Sequence, residues 1–102
     1  MTEGTFISIT KWQDETFPLA TTFSKVKHLE YEVQELLESL DSKDKENTKS
    51  EFADCILLVY GACAKYGLSY DDISYELDKK MTINRNRQWG TPDANGVVKH
   101  KN

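Results

Sequence analysis

The sequence predicts an all-α fold, an antiparallel bundle of about four helices completed by association with further copies of the chain. Three observations carry this reading. Apolar residues recur at three- and four-residue spacing through most of the chain, nothing between those stretches reads as a strand, and proline and glycine stand at their ends. The 102 residues suit a single domain spanning 1–102, with a polar tail from residue 91.

The first helix is expected over about residues 8–16, stopped by Pro18. The second covers about 22–40. Its positions Phe23, Val26, Leu29, Val33, Leu36, Leu37 and Leu40 form one face. Residues 41–47 are charged and lack apolar side chains, so they read as a solvated loop. The third helix is expected over about 49–66. Thr48-Lys49-Ser50-Glu51 has the form of a capping box, and Gly67 stands where a C-terminal stop belongs. The fourth runs over about 70–88, with Ser69 as its N-cap, and Gly90-Thr91-Pro92 ends it. Phe52, Ala53, Cys55, Ile56, Leu57, Leu58, Val59, Ala62 and Cys63 make the third helix apolar nearly all round. Four helices in so short a chain cannot cover it, so a homodimer or homotetramer is expected.

Hydrophobic residues make up 38% of the chain and charged residues 29%, with a mean hydropathy of −0.63. That is a globular composition with a modest core, too apolar for a disordered chain. No apolar run approaches the roughly 20 residues of a spanning helix. No charged-then-apolar leader opens the sequence, so a cytoplasmic location without membrane contact is expected. Cys55 and Cys63 would lie about 12 Å apart on one helix, too far for a disulfide. They read as reduced, core-facing thiols.

The net charge of −4 is unevenly spread. Residues 1–41 hold eight acids and three bases, and residues 42–78 eight acids and four bases. Residues 79–102 hold one acid and six bases. An acidic body lacks the basic footprint that nucleic-acid binding needs, so no nucleic-acid partner is expected. An acidic centre beside a small basic cluster suits a metal ion together with a phosphate chain.

Glu32 and Glu35 are three apart on the second helix, and Glu51 and Asp54 three apart on the third. Residues three apart are neighbours on a helix face, where like charges cost a few tenths of a kcal/mol. No lysine or arginine stands between Lys27 and Lys43 to neutralise the first pair. Taken alone, Glu51 reads as a cap and the glutamates of the second helix as a solvated face. Taken together, the two pairs on facing helices suit Mg²⁺, or Mn²⁺ in its place, because an all-carboxylate donor set favours those ions over zinc or copper.

Glu32-x-x-Glu35, followed after fifteen residues by Glu51-x-x-Asp54, resembles the metal motif of the MazG-type all-α nucleoside triphosphate pyrophosphohydrolases. The segments HLEYEVQELLESL (28–40) and EFADCILLVYGACAKYGLS (51–69) resemble that superfamily's two motif helices. KWQDETFP (11–18) and KKMTINRNRQWGTPDANGVVKH (79–100) resemble its phage-associated dATP/dGTP diphosphohydrolase branch. The chain departs from the superfamily in having Tyr31 before Glu32, where two adjacent glutamates are common. That bears on the number of bound ions.

The resemblance implies a Mg²⁺-dependent hydrolysis of a nucleoside triphosphate, dATP or dGTP, to the monophosphate and pyrophosphate. Glu32, Glu35, Glu51 and Asp54 would hold the metal, with Glu35 and Glu38 as the catalytic carboxylates and Glu38 orienting the attacking water. Lys80, Asn84 and Arg87, spaced four and three apart, match a K-x-x-x-N-x-x-R pattern and would share a helix face toward the phosphates. Trp12 would stack on a base or anchor the core. His28 would bond a ligand or cap the packing of the first helix. A phosphoribosyl-ATP pyrophosphohydrolase and a non-catalytic helical nucleotide-binding or dimerisation module are the alternatives.

Overall fold

The computed structural model describes residues 1–101. Its helices are α1 (Glu3–Thr16), α2 (Thr22–Ser42), α3 (Lys45–Lys65) and α4 (Tyr70–Arg85). Among the described residues there is no strand, only an isolated antiparallel bridge between Trp89 and His100. The fold is all-α, as expected. No single helix is long and apolar enough to cross a membrane. The chain divides into two compact units, Met1–Asp71 and Asp72–Asn102.

In the first unit, α2 packs along α3 and α1 lies against α3. Helix α1 begins five residues earlier than its periodicity announces. Thr2 caps it by accepting from the Thr5 amide at 3.2 Å, and its first turn seats Phe6, which is 3% exposed. Phe6 meets Tyr60 edge-to-face at 5.4 Å. Helix α2 opens on a reciprocal capping box. The Ser24 amide donates to Thr21 Oγ1 at 3.0 Å and the Thr21 amide to Ser24 Oγ at 2.8 Å.

The expected loop over 41–47 shrinks to a two-residue hinge. Lys43 takes a left-handed conformation with φ 60°, and Asp44 caps α3 by accepting from the Asn47 amide at 3.1 Å. The cap at Thr48 is therefore corrected. Its hydroxyl turns inward, onto the Asp44 carbonyl at 3.0 Å and Ser39 Oγ at 3.2 Å. The charged residues flanking the hinge are adequate helix formers, and helix requires no apolar residue. At the other end of α3, Gly67 has φ 96°, and the Leu68 amide donates to the Cys63 carbonyl. This is the expected glycine stop.

The second unit holds most of α4 and the segment after it. Helix α4 ends at Arg85, three residues short of the expectation. The chain then folds back on itself. The Gly90 amide donates to the Lys99 carbonyl at 2.9 Å, and the Lys101 amide to the Gln88 carbonyl at 2.8 Å. Asp93 Oδ1 holds the reversal by accepting from the amides of Asn95 and Val97.

One chain covers few of its apolar side chains. Among the described residues, only Phe6 and Ala62 form the buried apolar core, while Phe23 is 74% exposed, Leu37 and Leu40 each 54%, and Phe52 52%. The apolar stripe of α2 and much of α3 thus face outward. The expected burial of α3 on several sides is not met within a single chain.

Candidate active site

The central cluster forms where α2 and α3 run side by side. Glu32, Glu35 and Glu51 each bring a carboxylate oxygen within 4.8 Å of the others. The local reason is helical spacing on α2 and the tight Lys43–Asp44 hinge, which fixes the register of α3 against it. Because α3 starts at Lys45, Glu51 is interior to the helix and is not a cap.

The environment opposes three negative charges. One carboxylate oxygen of Glu32 and one of Glu51 are buried without a hydrogen-bond partner. The negative charge of Glu32 holds the Glu35 carboxyl above its ordinary pKa, with loss of solvent and the charges of Glu38 and Asp54 adding to it. Loss of solvent raises Glu51 first, then the charges of Glu35, Glu32 and Asp54. Orphaned buried carboxylate oxygens that converge on one point fit a divalent cation, since hard oxygen donors are what Mg²⁺ and Mn²⁺ take.

Asp54 lies outside the close triad, although its charge is felt by Glu35 and Glu51. The expected set of four therefore forms as three convergent oxygens with a fourth carboxylate alongside. Cys55 is a free, half-buried thiol. Burial raises its pKa, and the charges of Glu32, Glu51 and Asp54 raise it further, which leaves it a poor nucleophile.

Glu32 also lines a cavity of about 490 Å³ between α1, α2 and α3, together with Asp54 and His28. His28 Nε2 lies 3.2 Å from Glu32 Oε1. Trp12 and Phe17 form an aromatic wall, edge-to-face with centroids 5.7 Å apart. Trp12 is 59% exposed, so it is not a core anchor. Glu38 lies in a separate depression that it shares with Glu35 and Glu51, and Gln34 Nε2 donates to its Oε1 at 3.5 Å.

Two cavity residues carried little signal in the sequence. Lys25 is 6% exposed and Gln13 also 6%. Lys25 Nζ donates to Gln13 Oε1 at 2.8 Å, and Gln13 Nε2 donates to the Leu57 carbonyl at 2.9 Å. Burial lowers the Lys25 pKa, opposed by the charge of Asp14 and reinforced by that of Lys65. The Gln13 amide lies against Gly61, where any Cβ would overlap it. That close approach accounts for a glycine inside a helix. The signal that could have exposed Lys25 is its spacing: 25, 28 and 32 fall on one face of α2.

In the second unit, Asn84 and Arg87 come together, the guanidinium donating to Asn84 Oδ1 at 3.3 Å. The shared helix face expected for Lys80, Asn84 and Arg87 is corrected in part. Arg87 lies past the end of α4, in a turn closed by its amide on the Asn84 carbonyl, and its guanidinium also lies 3.4 Å from His100 Nδ1. Trp89 Nε1 donates to that same Asn84 carbonyl at 3.0 Å, closing the helix end.

The sequence model of the dATP/dGTP pyrophosphohydrolase family matches residues 7–101. The chain belongs to this family. It is therefore a nucleotide pyrophosphohydrolase, a hydrolase of nucleotide anhydrides. Among solved structures it is similar to the MazG-like pyrophosphohydrolase of cyanophage S-2L, which was determined with dGDP and three catalytic Mn²⁺ ions per active site. The two share 23% identity over 100% of this chain and 99% of the other, with a TM-score of 0.77. That likeness is one of fold. No curated protein matches the chain.

The raised carboxyls predict a pH dependence of stability. A carboxyl whose pKa is higher in the folded chain holds its proton more tightly there than when unfolded. Its ionisation therefore costs folding free energy as pH rises through the ordinary carboxylate range toward the raised value. In chelator, the thermal midpoint should carry a contribution that falls over this window, and Glu51→Gln should reduce that fall. Scanning calorimetry at a series of pH values checks this, and an identical pH profile in the variant contradicts it.

Proposed function

We propose that this family member hydrolyses a purine deoxynucleoside triphosphate, dATP or dGTP, to the monophosphate and pyrophosphate with Mg²⁺ or Mn²⁺. The observation that carries the reading is the convergence of Glu32, Glu35 and Glu51 with two buried, unpartnered carboxylate oxygens. The Mn²⁺ and dGDP of the cyanophage protein support it.

Glu32, Glu35 and Glu51 would hold the cation, with Asp54 beside them. When bound, it would offset the negative charge that otherwise repels a triphosphate, polarise phosphate oxygens and acidify water. Glu38, in the depression it shares with Glu35 and Glu51, would take the proton of the attacking water. Lys80, Asn84 and Arg87 would supply donors for phosphate oxygens, the arginine through its forked guanidinium. Trp12 and His28 would contact the nucleoside from the cavity they line.

The activity test is pyrophosphate release from a panel of deoxynucleoside triphosphates with Mg²⁺, with Mn²⁺ and with chelator. Metal-dependent release from dATP or dGTP is expected. Glu35→Gln should lower kcat/KM by more than the roughly 10–100-fold that losing an outer-shell partner costs a metal site. No metal-dependent product from any nucleotide overturns the reading.

We also propose that copies of the chain associate through the outward apolar faces of α2 and α3. A contiguous apolar surface rimmed by charge marks an interface, and a second copy offers the same face in return. Light scattering should give a mass at twice or four times 11.7 kDa. A monomer at micromolar concentration contradicts this.

A further inference from the structure

The cavity beside the triad holds a charge that the proposed chemistry does not use. Lys25 is 6% exposed. Among the described residues its ammonium has one hydrogen-bond partner, Gln13 Oε1 at 2.8 Å, and no carboxylate lies within ion-pair distance. An ammonium carries three N–H donors and no acceptor. Two donors of a buried cation are thus left without a protein partner, in a cavity of about 490 Å³ that Lys25 itself lines. Burying a charge so poorly partnered is costly unless a ligand completes its shell.

The rest of the cavity limits that ligand. Trp12 and Phe17 give it an aromatic wall, and Leu57 and Leu58 an apolar floor, which suits the faces of a flat ring. Gln13 cannot turn to serve the ligand. Both ends of its amide are engaged, by Lys25 and by the Leu57 carbonyl, and Gly61 lies against it. Beside Gln13 the ring therefore meets the free donors of Lys25, while the acceptors that line the cavity are the carboxylates of Glu32 and Asp54. At the other end the cavity includes Glu32, a member of the metal triad. Lys25 and Glu32 are seven residues apart on α2, about 10 Å along the helix, a spacing that a nucleoside can bridge.

We infer that Lys25 is a specificity-determining residue that donates to the acceptor edge of a purine, N7 in either base and O6 as well in guanine. The inference rests on the hydrolase reading above and deepens it. Guanine presents two adjacent acceptors on that edge, a pattern that lysine meets with two donors. Adenine shares N7 but places an amino donor at the sixth position, so it takes only one of the contacts. dGTP is then the better substrate of the two, and Gln13 acts by holding the ammonium in place.

The test compares dGTP with 7-deaza-dGTP, in which carbon replaces N7, for the wild type, Lys25→Met and Lys25→Arg. The wild type should lose about tenfold in kcat/KM on the deaza substrate. Lys25→Met should use both substrates equally, below the wild type's level on the deaza substrate because the O6 contact is lost as well. Lys25→Arg, which keeps the donors, should recover part of the difference. Equal use of the two substrates by the wild type overturns the assignment, as does an unchanged ratio in Lys25→Met. The wild-type arm stands even if Lys25→Met fails to fold. Calorimetry of dGMP against 7-deaza-dGMP reads the same contact without turnover. Absence of hydrolysis would overturn the proposed function, whereas equal affinities for these two monophosphates would overturn only the role of Lys25.

Discussion

Mutual repulsion among Glu32, Glu35 and Glu51 is the constraint on which the rest of this structure turns. Two neighbouring helices aim three carboxylates at one point and leave two of their oxygens buried without partners. A chain optimised for its own stability would not do this. Two features hold the helices against the repulsion. The hinge at Lys43 and Asp44 is too short to let α3 slide along α2. Beside it, the Thr48 hydroxyl bonds Ser39 across the two helices. Local rules of helix charge are broken where the chemistry is proposed to occur, and the surrounding packing carries the cost.

The same helix also organises the neighbouring cavity. Lys25, His28 and Glu32 lie on one face of α2 and line one pocket. A rigid helix thereby fixes the distance between the proposed base contact and the triad, with more precision than a loop could offer. Gln13 ties α1 into this arrangement, because its amide joins Lys25 on α2 to the Leu57 carbonyl on α3. The nucleoside end and the metal end of the proposed site are therefore built from one framework and share Glu32.

Much of this was legible in the sequence, for physical reasons that differ by element. The stripe from Phe23 to Leu40 announces α2, because helical periodicity is the strongest local signal. Gly67 marks the end of α3 because only a left-handed residue closes that helix. The first turn of α1 escapes notice because Gly4 and the threonines around it are weak helix formers, and Phe6 holds the turn through tertiary contacts. Charged residues around Lys43 look like a loop but continue both helices. At the site, the pairing of Glu32 with Glu35 follows from helical spacing, and Glu51 joins them through the register that the Lys43–Asp44 hinge sets. Asp54 stands a little apart because adjacency on one helix does not set the distance to another. Lys25 stayed hidden because a lone lysine reads as solvent-facing until α1 is seen to close over it.

The most direct measurement is a titration with Mn²⁺, following the free ion by electron paramagnetic resonance, for the wild type, Glu51→Gln and Glu30→Gln. Glu30 is exposed, pairs with Lys27 and stands outside the triad. The account predicts that the wild type takes up Mn²⁺, that Glu51→Gln weakens uptake by at least about tenfold, and that Glu30→Gln leaves it unchanged. Uptake by Glu51→Gln equal to that of the wild type, or no uptake by the wild type, would contradict a metal held between α2 and α3.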